Sequence, residues 1–280
     1  MLKQRVLTAV ALLAGFLAAL FYLPEPYWAL LMLGVICLAA LEWGALIGLK
    51  RSGAWLLVVV VGFGVAAMMW DFPELDNELD DGIPRWLTMG IFILSAGIGI
   101  FWMVAVPLWL KLRFRIENKF FLAIVGLMVL FPTWMAASLL PATWSPFFLL
   151  AVMAIVWIAD IAAYFVGKRF GRHKLAPSIS PGKTWEGVIG ALCAVALYGV
   201  ILCLTLHLSF WLIPGFLVLT IMSVVGDLFE SLLKRQAGIK DSGNLLPGHG
   251  GVLDRIDGLT AVLPLSLFVF LPVYHRLDLL

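Results

Sequence analysis

Two aspartates three residues apart, Asp254 and Asp257, stand just ahead of an apolar run in the stretch LLPGHGGVLDRIDGL, residues 245–259. On a helix that spacing puts both carboxylates on one face, where like charges repel and call for a cation. A hard divalent ion such as Mg2+ takes oxygen ligands and keeps part of its water shell. Asp227, at the end of the preceding apolar run, offers a third carboxylate from the other side. Capping of a helix by Asp254 would explain that residue alone, and leaves Asp257 and the upstream glycines without a purpose. Asp227, Asp254 and Asp257 are therefore the expected metal ligands.

The same stretch gathers bases and glycines. Lys234, Arg235, Lys240 and Arg255 share a segment with Gly243, Gly248, Gly250 and Gly251. Glycines let backbone amides approach an anion closely, and successive amides form anion-binding nests. A second polar segment, SPGKTWEG (180–187), supplies Ser180, Lys183 and Thr184 near the start of a helix, where phosphate is favoured. Its GKT triplet is not a phosphate-binding P-loop: that motif needs glycine where this chain has Pro177, and no strand pattern precedes it. His249 is open between phosphate donor, metal neighbour and packing residue. His173 lies among bases. Carboxylates for Mg2+ beside cations and glycine-rich backbone suit phosphoryl or nucleotidyl transfer, and the setting points to a lipid as one substrate.

That setting is set by composition. Of 280 residues, 63% are hydrophobic and only 13% charged, with mean hydropathy +1.05; soluble domains are about a quarter charged. Helices need about 20 apolar residues to cross a bilayer. Nine runs qualify: about 6–23, 27–49, 54–70, 86–110, 120–140, 145–167, 187–206, 209–226 and 258–274. With the N-terminus inside, all but two of the 19 Lys and Arg residues (Arg85 and Arg276) fall on inside segments, as the positive-inside rule requires. The expected fold is an all-α polytopic membrane protein of about nine spans, N-terminus cytoplasmic and C-terminus outside. Residues 1–143 form about five N-terminal helices; 144–280 form a catalytic region with inside loops 168–186 and 227–257. The outside segment 71–84 holds six acids and no base and reads as a solvated charge run. Cys37, Cys193 and Cys203 sit in apolar runs and read as small hydrophobes. Glu42, Asp160, Glu186, Asp227 and Glu230 lie at or near membrane depth, where ionisable groups are costly unless paired or hydrated. One polar site on the cytoplasmic face would explain them and the two long loops together.

Residues 231–257, SLLKRQAGIKDSGNLLPGHGGVLDRID, resemble the signature of the phosphatidate cytidylyltransferases (CDP-diacylglycerol synthases). Its fixed positions read here as Ser231, Lys234, Arg235, Lys240, Asp241, Gly243, Leu246, Pro247, His249, Gly250, Gly251, Asp254, Arg255 and Asp257. The similarity extends upstream through DIAAYFVGKRFG and SPGKTWEG, with one departure: Gly182 stands where the family usually has lysine. The resemblance implies transfer of CMP from CTP to phosphatidic acid, with release of pyrophosphate, in a bacterial-type inner membrane. It implies Mg2+ at Asp227, Asp254 and Asp257, with a carboxylate count that permits a second cation. Lys234, Lys240, Arg255, Lys183, Ser180 and Thr184 would hold phosphates, Arg235, His249, Gly250 and Gly251 would line the substrate, and Asp160, Glu186 and Asp241 would support them. No nucleic-acid partner is expected, and a homodimer is left open. A polyprenol-type kinase would share the fold and differ in acceptor. A CDP-alcohol phosphotransferase would need acids that 258–276 lack, and a transporter would need a midplane path.

Overall fold

The computed structural model describes residues 2–62, 96–243, 245 and 250–277. Among the described residues the chain forms nine helical segments and one short hairpin: α1 (Leu2–Tyr22), α2 (Glu25–Leu46), α3 (Arg51–Gly62), α4 (Ala96–Leu112), α5 (Lys119–Thr143), α6 (Pro146–Phe170), β1 (Lys174–Ala176), β2 (Ser180–Thr184), α7 (Trp185–Thr205), α8 (Leu212–Gln236) and α9 (Leu253–Leu277). Five of them, α2, α5, α6, α7 and α8, are long and apolar enough to cross a membrane. At 1.5 Å per residue they span roughly 31–38 Å, enough for the hydrocarbon core. This is an all-α membrane protein. The acidic segment 71–84 and His249 lie outside the described residues.

Within the bilayer nothing but internal bonding satisfies polar groups, and the helices are tied accordingly. α2 packs along α5 through three indoles: Trp28 Nε1 donates to Ala137 O (3.0 Å), Trp43 Nε1 to Leu122 O (2.9 Å), and Trp134 Nε1 to Ala29 O (3.0 Å). α6 lies along α7, and α8 along α9, at small residues that let backbones meet. A Cβ on Gly187 would stand 2.9 Å from Ala163 O, and one on Gly190 would stand 2.6 Å from a Val166 methyl. A Cβ on Gly226 would stand 2.7 Å from Asp257 O. α4 carries a π-helical stretch, Phe101–Ala105, one residue ahead of Pro107, whose missing N–H interrupts the α ladder.

One expectation is corrected. SPGKTWEG was read without strand structure, but its first five residues are strand β2. They pair antiparallel with β1, Lys174 opposite Thr184 and Ala176 opposite Ser180. The turn between them, PSI (177–179), opens with Pro177, which fits a turn rather than a helix. A two-stranded ribbon is marginal alone; this one rests against α6, α7 and α8, with Ile179 buried to 4% exposure.

Candidate active site

The periodicity of α8 separates its two jobs. Phe229 points into an aromatic group, with ring centroids 6.2 Å from Phe101, 6.1 Å from Trp102, 5.3 Å from Trp109 and 6.5 Å from Trp43. That anchor fixes the helix rotation. Asp227, Glu230, Ser231 and Lys234, at helical i+3 and i+4 steps, then fall on another face. Ser231 Oγ donates to Asp227 Oδ1 at 3.2 Å, and Lys234 Nζ donates to Glu230 Oε2 at 3.1 Å. The helix ends at Gly238 (φ +73°), with Ile239 N bonded back to Lys234 O at 3.0 Å, a left-handed cap that suits glycine.

From the hairpin comes Lys183, whose Nζ lies 2.5 Å from Asp227 Oδ2. This ion pair joins the two polar loops that the sequence places 44 residues apart. Arg235 strengthens the junction by donating from Nε to Ile179 O at 3.3 Å. Thr184 caps α7: its Oγ1 accepts from Gly187 N at 3.1 Å, satisfying one of the free amides of a first turn. Glu186 accepts from His173, through the backbone N at 3.2 Å and through Nδ1 at 2.7 Å, so it fastens the hairpin's entry. Ser180 is half-buried at the start of β2, and Gly182 is exposed with open space around it. Asp160, exposed on α6, interacts electrostatically with Asp227 and Lys183.

The two aspartates expected on one face make different contacts. Asp254 is turned back on its own loop, accepting from Lys234 Nζ (2.7 Å), Gly251 N (2.8 Å) and Ser242 N (3.0 Å). Burial works against its ionisation, but the Lys234 ammonium and these amides outweigh it and hold the carboxyl below the ordinary aspartate range. Gly250 meets this turn at φ +82°, where a Cβ would stand 2.8 Å from Asp254 Oδ2. Asp257, one turn further on, accepts from Gly258 N at 2.7 Å and interacts with Asp227, Lys183 and Glu230. The Gly226–Gly258 crossing is what brings Asp227 and Asp257 to neighbouring backbones. Asp241, Lys240 and Arg255 are exposed at the rim.

Glu42 of α2, grouped by its cost with the acids of the cytoplasmic site but given no role from the sequence, belongs to this region. It is 5% exposed and accepts from Ser242 Oγ, Val252 N and Leu253 N. Its only sequence signal was an acid inside an apolar run.

Among the described residues no three His, Cys, Asp or Glu side chains are assembled as a metal site. The donor chemistry still fits Mg2+, which is held by one or two carboxylates with substrate phosphates and water completing its shell. Asp227 and Asp257 supply two carboxylates with Lys183 the nearest cation, whereas the oxygens of Asp254 are already taken by an ammonium and two amides.

Apolar helices that end in carboxylates, a lysine and glycine-bounded amides are suited to handling phosphates at a membrane. The chain belongs to the cytidylyltransferase family, whose model matches residues 3–273. It is similar to a phosphatidate cytidylyltransferase of Pseudomonas aeruginosa, 38% identical over 270 residues that cover 94% of this chain and 95% of that protein. One from Haemophilus influenzae is 38% identical over 292 residues, 96% and 99% of the two chains. One from Thermotoga maritima is 46% identical over a shorter stretch of 129 residues, 43% and 48%.

Proposed function

We propose that this chain transfers CMP from CTP to phosphatidic acid, giving CDP-diacylglycerol and pyrophosphate. The observation that carries the reading is the meeting of Lys183, Asp227 and Asp257 beside the loop that bears the signature. The near full-length similarity to proteins named phosphatidate cytidylyltransferase supports the choice of substrates.

In this reaction a phosphate oxygen of the lipid forms a bond to the α-phosphorus of CTP as the bond from that phosphorus to the bridging oxygen breaks, and pyrophosphate leaves with the electron pair. The attacking oxygen is already anionic near neutrality, so no side chain has to remove a proton. What must be overcome is repulsion between two anions, by charge aimed at the transferring group. Lys183, exposed Lys240 and exposed Arg255 would hold phosphates. Asp227 and Asp257 would hold Mg2+, which supplies Lewis-acid polarisation of phosphoryl oxygens when bound. Lys234, committed to Asp254 and Glu230, keeps the signature loop in place. Nine spans with the N-terminus and the site on the cytoplasmic side complete the proposal, since the positive-inside partition supports that parity.

The test is incorporation of radiolabelled CTP into lipid by the purified protein with phosphatidic acid. CDP-lipid is expected only with Mg2+ present, and Asp257→Ala is expected to lose at least about 10³-fold in kcat. No CDP-lipid, or parental rates in Asp257→Ala, overturns the assignment. A periplasmic reporter fused after residue 280 is expected to be active; a silent one removes the nine-span topology.

A further inference from the structure

Glu42 comes from the N-terminal helices, yet its hydrogen-bond partners sit 200 to 211 residues away, at the two ends of segment 242–253. Ser242 Oγ donates to Oε2 at 3.0 Å, Val252 N to Oε1 at 3.0 Å, and Leu253 N to Oε2 at 2.8 Å. A buried carboxylate is costly unless donors meet it. Here two of the three donors are amides at the start of α9, where unpaired N–H groups and the helix dipole favour an anion. Two glycines complete the cradle: a Cβ on Gly243 or on Gly251 would run into the Glu42 carboxylate. α2 is itself immobilised around this residue. Trp43 is 1% exposed and bonded to α5, a Cβ on Gly44 would stand 2.6 Å from Ala54 Cβ, and a Cβ on Gly126 would stand 2.5 Å from Trp43 Nε1.

We propose that Glu42 is a positioning residue of the transfer site. Its carboxylate fastens both ends of segment 242–253, so that Asp254, Arg255 and Asp257 enter α9 at a fixed place relative to Asp227 and Lys183. Lys234 grips the same segment from α8 through Asp254, and Glu42 grips it from α2. The N-terminal helices thereby take part in building the site instead of only anchoring it. The inference rests on segment 242–257 belonging to the transferase site.

Glu42→Gln keeps the shape but sets an NH2 group against donors and removes the charge. Misplacing a catalytic group by a fraction of its working distance costs on the order of 10- to 100-fold, and that fall in kcat is expected. KM for phosphatidic acid should stay within about twofold and the folded yield should be close to parental, because the bundle contacts of α2 are untouched. Protease cleavage within 242–253 should accelerate. Glu42→Asp, which restores the charge with a shorter reach, should recover part of kcat. A parental kcat in Glu42→Gln, or a loss that follows folded yield alone, overturns the proposal. If Glu42→Gln does not accumulate, Ser242→Ala decides in its place: it removes one donor without stranding a charge, and an unchanged kcat with unchanged cleavage overturns the clamp. The cleavage rate reads the clamp without catalysis, so a parent enzyme that makes no CDP-lipid would end the functional reading while leaving the clamp to that measurement.

Discussion

The two polar loops differ in how much of their hold is local. The hairpin loop adds local bonds to its ties with α8: Thr184 caps the amide three residues on, Glu186 holds His173 thirteen residues back, and β1 pairs with β2. The described ends of segment 242–253 depend more on distant partners, Lys234 of α8 through Asp254 and Glu42 across some 200 residues. A locally held loop survives the loss of one bond because its neighbours in sequence remain. A loop held from afar depends on the relative placement of whole helices, and its geometry reports on the entire bundle.

Substitutions in the distant-held loop should accordingly cost most. Gly251→Ala pushes a methyl into Ser242 Oγ and the Glu42 carboxylate; overpacking of this kind costs about 1–3 kcal/mol, and kcat is expected to fall about 10- to 100-fold in the lipid-incorporation assay. In the hairpin loop, Thr184→Ala removes a helix cap worth about 1 kcal/mol. Activity should drop only a few-fold, and Thr184→Ser should restore most of it. A loss in Thr184→Ala as large as that in Gly251→Ala would break the contrast. The smallest effect is expected from Gly182→Lys: open space surrounds Gly182, so folded yield should be unchanged and activity within about threefold, as surface changes away from packed features are nearly neutral. A large loss there would mean that the exposed edge of β2 is more constrained than its surroundings indicate.

Much of this was legible in the residues. Composition and run lengths gave the membrane class, because burying so little charge leaves no other solvent. The positions of Lys183, Asp227 and Asp257 stood out because polar groups in an apolar chain need a reason to be there. The approach of Asp227 to Asp257 was expected from their shared need of a cation; the Lys183–Asp227 ion pair was not legible, since helix crossings are decided by small residues such as Gly226 and Gly258 whose contacts are long-range. The hairpin was missed because SPGKT has proline and glycine, which speak for loop, and only packing on three helices makes it a strand. Asp254 and Asp257 were read alike from their spacing; loop amides and Lys234, invisible in a helical pattern, separate them. Glu42 was drawn to the cytoplasmic site by its cost, but its partners Ser242, Val252 and Leu253 were not legible.

A double-mutant cycle on kcat/KM for CDP-lipid formation, using Lys183→Met, Asp227→Asn and both together, tests most directly whether the two loops build one site. Residues acting as a unit are non-additive. Each single variant is expected to lose about 10²-fold or more, and the double variant no more than about threefold beyond the worse single. A double variant whose loss equals the product of the two single losses would contradict a shared site.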